Sequence, residues 1–269
     1  MNKAFGYEPP VPVEQVETLF APSPYLNLYN YCEELDYEGE SGYHVPDSFI
    51  RVDALMRTEV ADPPFVFPET LKILPGEKLV YVSMGEKGSL QGTSFMNIFP
   101  LLFFQGTLGS IDVELMRRIT TALGKTPHKF IVSKGQRQDE YDLPAGNCYG
   151  EAFLPQTTIL PLVDAVVGHG GNNTVTEAMA CGKPMLLLPL MGDQFDSAQR
   201  VEEKGFGLRL SAYEFTEAQL IEALDRILND QKMAERLKVV KGRIASSRSK
   251  EVACERVEEL VEQFRTGQN

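Results

Sequence analysis

Gly168-His169-Gly170-Gly171-Asn172-Asn173-Thr174-Val175-Thr176-Glu177 decides how this chain is read. The apolar stretch Ala165–Val167 runs into its first glycine. A helical pattern from Thr174 to Cys181 follows, closed by Gly182 and Pro184. A strand that turns through glycines into a helix is one step of a parallel α/β sheet. The glycines let backbone approach a ligand closely. The N–H groups from about Asn172 to Val175 open the predicted helix and lack partners within it. Their partial positive charge suits a diphosphate. His169 can add a hydrogen bond or a charge, and Thr174 a hydroxyl. Glu177 follows Thr174 by three residues on the same predicted face and can accept from two ribose hydroxyls.

Working outward, the same alternation continues on both sides. Strands are predicted at Leu79–Met84, His128–Ser133, Cys148–Ala152, Met185–Leu188 and Gly207–Leu210. Helices are predicted at Asp112–Leu123 and Asp196–Lys204. Another is capped by Thr216, with Gln219 in the capping-box position. From about Ser249 to Phe264 an amphipathic helix is predicted, with Val252, Val257, Leu260, Val261 and Phe264 on one side. The pattern gives an α/β fold, a doubly wound parallel sheet of Rossmann-like type. Ligands of such sheets sit beyond the carboxyl ends of the strands, where Gly85, His169 and Asp193 fall. Asp193-Gln194 pairs a carboxylate with an amide, a suitable grip for a sugar's vicinal hydroxyls. Pro155-Gln156, preceded by Phe153, offers an aromatic face and an amide edge for a base. Residues 1–75 are irregular and proline-rich, which predicts a linker and an edge with short helices near Val13–Phe20 and Pro68–Ile73.

The chain has 269 residues, 43% of them hydrophobic, enough for one large or two small cored domains. A net charge of −12 argues against nucleic acid or an anionic membrane as partner. An anionic ligand must then be held by local dipoles. The four cysteines, Cys32, Cys148, Cys181 and Cys254, lack C-x-x-C spacing and read as reduced thiols of a cytosolic protein. No stretch approaches the roughly 18–20 apolar residues of a transmembrane segment. No signal-peptide apolar region opens the chain, and cytoplasmic localisation is expected.

Each feature has a plainer reading when taken alone. Gly-Gly before a helix is a turn, a histidine after a strand a packed residue, Glu177 a solvated side chain and Asp193-Gln194 a loop. Their order and spacing together carry the resemblance. Phe153-x-Pro155-Gln156, then His169-Gly-Gly-x-Asn173-Thr174-x-x-Glu177-Ala178, Gly182-x-Pro184, Pro189 and Asp193-Gln194 resemble the signature of UDP-glycosyltransferases. These are inverting enzymes of the GT-B fold, family 1. The resemblance runs from about Leu79 to the C-terminus and implies the C-terminal half of that fold. Ser23 to Leu28 and Glu33 to Tyr37 look like the end of the family's N-terminal domain and its linker. Residues 1–75 would then be a remnant of the acceptor domain and linker, and 76–269 the donor-binding domain.

The resemblance also implies roles. His169, Gly171, Asn173 and Thr174 would hold the diphosphate, with Ser83, Gly85 and Thr107 as the phosphate loop after the first strand. Phe153 stands where the family has an aromatic residue, often Trp, stacked on uracil. Gln156 and Glu177 would contact the base and ribose, and Asp193 and Gln194 the donor sugar. The reaction would be direct displacement at the anomeric carbon by a hydroxyl of a small lipophilic acceptor, with inversion. No cofactor or metal is expected, UDP-sugar being a co-substrate. His169 would be an electrophilic partner to the leaving UDP.

Two departures stand out. The family's general base is a histidine near the start of an N-terminal domain. The three histidines here are His44, His128 and His169, none of which matches it. The expectation is a donor-binding half whose base lies in a missing domain. Second, the 21 residues from Glu86 to Gly106 separate Ser83-Met84-Gly85 from Thr107-Leu108-Gly109-Ser110. A βα loop is normally roughly 2–6 residues long. We read the segment as a translated intron. Gly85-Glu86-Lys87 can encode a splice donor, Phe99 to Gln105 an acceptor, and removal keeps the frame. The alternative is a genuine lid or membrane-touching loop. The segment is expected to weaken UDP binding and expose a hydrophobic patch.

Competing functions remain at this stage. One is a non-catalytic UDP-sugar-binding module that needs a partner half. Another is a related GT-B enzyme that epimerises or hydrolyses UDP-sugars, which Asp193-Gln194 and Pro155-Gln156 disfavour. A nicotinamide dehydrogenase is weaker, since no G-x-G-x-x-G follows the first strand. The chain ends Phe264-Arg-Thr-Gly-Gln-Asn269, which resembles the family's soluble members.

Overall fold

The computed structural model describes residues 22–40, 42–56, 64–69, 71–85 and 112–267. Predictions on Val13–Phe20, the segment 86–106 and Thr107 lie outside the described residues.

Contacts divide the chain into two units. The larger holds residues 30–36 and 53–247. Its sheet has six parallel strands: β3 (Leu79–Ser83), β4 (Lys129–Ser133), β5 (Cys148–Glu151), β6 (Ala165–Gly168), β7 (Met185–Leu187) and β8 (Gly207–Arg209). Their spatial order is β5-β4-β3-β6-β7-β8. The chain winds one way from β3 through β4 to β5, then returns to β6 on the other side of β3. The reversal point lies between β3 and β6, where such sheets open a crevice for ligands. Ser83 pairs in register with Gly168 there.

Every β3 residue is buried, as a strand covered on both faces by helices requires. Tyr81, Phe130, Ile131, Leu115, Met116 and Ile159 are among its largest fully buried side chains. The helices are α1 (Val113–Leu123), α2 (Gln156–Ile159), α3 (Asn172–Cys181), α4 (Asp193–Glu203), α5 (Glu217–Asn229) and α6 (Gln231–Ser246). Asp112 caps α1 by accepting from Leu115 N–H at 2.9 Å. Thr216 and Gln219 form the predicted capping box of α5. Helix α6 has no counterpart in the sequence prediction. It is capped by Asp230 and buries Met233, Leu237 and Val240.

Two arginines fasten the upstream residues of this unit. Arg200, 3% exposed, donates to the carbonyls of Leu35 at 2.9 Å and Asp36 at 2.8 Å. Arg243 pairs with Glu34 at 2.5 Å and with Asp53 at 2.8 Å. Burial works against the Asp53 charge, but hydrogen bonds from Arg243 and Ser247 prevail. They hold its carboxyl below the ordinary range.

The smaller unit, among the described residues, comprises 22–29, 37–52 and 248–267. Strands β1 (Asn27–Asn30) and β2 (Phe49–Val52) pair, and helix α7 (Ser249–Thr266) packs on β2. Neither strand was predicted. Phe264 meets Tyr25 edge-on at 5.1 Å. The predicted helix is present, but its apolar stripe is not buried. Val252, Val257, Val261 and Phe264 are 43–52% exposed. A two-stranded sheet offers too little area to cover an 18-residue helix. The helix predicted near Pro68–Ile73 is corrected: its described residues make a turn, closed by Leu71 N–H to the Pro68 carbonyl. Pro68 cannot donate, and no amphipathic run follows it to bury a helix face.

Among the described residues no helix is long and apolar enough to cross a membrane. The four cysteines are free thiols.

Candidate functional site

Residues from β3, β6 and the starts of α2, α3 and α4 define the candidate site. Gly168 ends β6 beside Ser83, and a β-carbon at Gly168 would lie 3.2 Å from the Ser83 carbonyl oxygen. The chain then turns at Gly170, whose φ of +86° favours glycine. A side chain at Gly170 would also press on the Gln194 carbonyl at 3.1 Å, so α4 sits close over the turn.

Helix α3 starts at Asn172, with Gly171 as its N-cap and no side-chain cap. Val175 N–H already bonds the Gly171 carbonyl at 3.1 Å, which trims the expected set of open amides to those before Val175. That is the ordinary α-helical i to i−4 bond. No acidic residue occupies the first turn of α3. Its dipole is left for a ligand to complement.

Thr174 and Glu177 are 7% and 6% exposed on the face of α3 that meets α2. Gln156, the first residue of α2, donates through Nε2 to Glu177 Oε2 at 2.6 Å and to Thr174 Oγ1 at 3.4 Å. Three predicted residues thus form one network. The amide orients the carboxylate and leaves it acceptor capacity. Phe153, two residues before Pro155, is 52% exposed, available as a stacking face.

His169 is lodged against two glycines. A β-carbon at Gly85 would lie 3.1 Å from its Nε2, and one at Gly171 would overlap Nε2 outright. Its Nδ1 is buried and makes no hydrogen bond. Burial holds the imidazole below its ordinary range, with the Ser83 backbone and the Asp193 carboxylate pulling the other way.

The remaining predicted residues divide. Asn173 is exposed on the first turn of α3, and Asp193 is exposed at the start of α4. Gln194 is 7% exposed, and its Oε1 accepts from the N–H groups of Leu190 at 2.9 Å and Met191 at 3.2 Å. That oxygen shapes the Pro189–Gly192 loop. Asn172, not singled out from sequence, donates to the Asn30 carbonyl at 2.7 Å, and its Oδ1 is buried without a hydrogen bond. A polar residue one turn before a buried helix face was its only signal.

The profile of the family described as "UDP-glucoronosyl and UDP-glucosyl transferase" matches residues 103–241. UDP-glucuronosyltransferase 1A6 of Oryctolagus cuniculus is 35% identical over 138 residues, which cover 49% of this chain and 25% of that protein. UDP-glucuronosyltransferase 1A1 of Homo sapiens shows the same identity and coverage. The chain spans about a quarter of the length of these curated relatives. Among solved structures, the calicheamicin glycosyltransferase CalG4 superposes with a TM-score of 0.69 at 21% identity, covering 98% of this chain and 65% of that one. The glycosyltransferase VinC in complex with DTDP gives 0.62 at 20%, covering 87% and 51%. At these identities the structures speak for the fold, which is that of GT-B glycosyltransferases.

Proposed function

This chain belongs to the family described as UDP-glucoronosyl and UDP-glucosyl transferase, and from that premise we propose that it is the donor-binding half of a UDP-sugar-dependent glycosyltransferase. The observation that carries the reading is the Gln156–Thr174–Glu177 network beside the uncapped end of α3. In this reading Glu177 is the ribose acceptor and the open start of α3 the anion cradle, one helix carrying both at the sheet's reversal point.

In this reading Phe153 and Gln156 take the base and Glu177 the ribose hydroxyls. The α3 amides, His169 and the Ser83–Gly85 turn take the diphosphate. Asp193 and the Gln194 amide meet the sugar. The acceptor, a small hydroxylated lipophile, attacks the anomeric carbon from the opposite side, so configuration inverts. As the anomeric C–O bond breaks, charge grows on the UDP oxygen facing the α3 dipole, and that interaction strengthens in the transition state. The reading assigns the proton of the attacking hydroxyl to a base in a separate acceptor half. It calls for no metal.

Two measurements test it. Calorimetry of this chain with UDP-sugars is expected to show one binding site. Adding a separately expressed acceptor half from a relative is expected to give inverted transfer that persists in EDTA. Absence of binding at millimolar UDP-sugar would refute the reading. Binding that never supports transfer with any acceptor half would favour a non-catalytic binding module.

A further inference from the structure

We propose that Gly171 is a positioning residue: the side chain it lacks is the slot that holds the His169 imidazole in the anion cradle. The proposal deepens the donor-binding reading and rests on it for its affinity arm.

The glycines around His169 are glycine for different reasons. Gly170 and Gly85 have φ of +86° and +96°, where side chains are strained whatever the space. Gly171 has φ −62° and ψ 139°, ordinary extended backbone that any residue adopts. As N-cap of α3 the position accepts Ser, Thr, Asp or Asn as well as Gly, and any of those four side chains would close the open helix end. Local backbone chemistry therefore does not ask for glycine at 171.

The imidazole does. A β-carbon at 171 would overlap Nε2 and lie 2.9 Å from Cε1. On the other loop, a β-carbon at 85 would lie 3.1 Å from Nε2 and 3.2 Å from Cε1. The distal edge of the ring therefore occupies the space of two absent side chains, one from each loop at the reversal point. With Nδ1 unbonded, these walls and the Ser83 backbone set the ring's orientation. The same absence of a side chain keeps α3 uncapped, so one glycine serves both the histidine and the amides.

A double-mutant cycle tests this. His169→Ala is expected to weaken UDP binding about tenfold. Gly171→Ala is expected to weaken it by a similar factor, because the ring must leave its slot. In the His169→Ala background, Gly171→Ala should cost less than twofold. Melting temperatures should follow the same pattern, the double variant melting below His169→Ala only by the cost of exchanging a glycine N-cap for alanine. In nucleotide-free protein, Gly171→Ala should move the His169 ring resonances and raise its titration toward the ordinary imidazole value. Gly242→Ala, with nothing within 4 Å, is the control and should leave UDP affinity unchanged.

A Gly171→Ala variant that binds UDP and titrates like wild type would overturn the proposal. So would a Gly171→Ala penalty undiminished without His169. If wild type bound no UDP, the donor-binding reading would fail. The melting cycle and the His169 resonances would still decide the slot.

Discussion

The starts of the larger unit's helices of eight residues or more fall into two kinds. At α1, α5 and α6 the first amides are met by the protein's own side chains, Asp112, Thr216 and Asp230. At α3 and α4 the N-caps are Gly171 and Gly192, and neither offers a side chain. Helix α4 still carries Asp193 and Asp196 in its first turn. Among the described helices of eight residues or more, α3 alone has neither a cap nor an acidic first turn. Beside it, His169 Nδ1 and Asn172 Oδ1 are buried without hydrogen bonds. The fold closes its polar groups where it needs stability and leaves them open at one edge. Stability and binding should therefore be separable by mutation.

The largest expected effect on stability lies away from that edge. Arg243→Ala leaves Asp53 buried without its cation. We expect a loss of roughly 2–4 kcal/mol, below that of a fully buried pair because Arg243 is 29% exposed. Chemical denaturation would measure it, with UDP affinity unchanged. The pH dependence has a definite sign. Asp53 has a folded value below its ordinary 3.8, so its contribution is full above that value and lost as pH falls through the folded one. Wild type should lose stability in that acid window, and Arg243→Ala should lose less.

Next, Glu177→Ala should weaken UDP binding about 100-fold, since a charged acceptor of two hydroxyls is removed. Its melting temperature should fall far less than that of Arg243→Ala. The smallest effect sharpens the contrast from the capped side. Thr216→Ala should cost about 1 kcal/mol of stability and nothing in UDP affinity. A Thr216 or Arg243 variant that weakened UDP binding while folded would break the separation of the two regions.

Much of this arrangement is legible in the sequence. The inner strands β3, β4, β6 and β7 announce themselves as apolar runs ended by turn residues, because strands buried on both faces admit little else. The Thr216 capping box was equally plain. Helix α6 was missed although Met233, Leu237 and Val240 repeat at helical spacing. Its buried stripe is narrow and interrupted by charge. Strands β1 and β2 are four residues each and half-exposed, so neither alternation nor burial marks them. At the site, spacing placed Thr174 and Glu177 together because one helix carries both. That Gln156 reaches them across 18 and 21 residues of sequence depends on tertiary packing. That Gln194 Oε1 turns into its own loop, and that Gly171 faces a ring, depends on it equally.

The central claim is that the open end of α3 receives a diphosphate. Calorimetric titration of the wild-type chain with UDP and, separately, with uridine tests it most directly. The account predicts that UDP binds at least about tenfold tighter, since only the diphosphate engages the α3 amides and His169. Equal affinity for the two, or tighter binding of uridine, would contradict it.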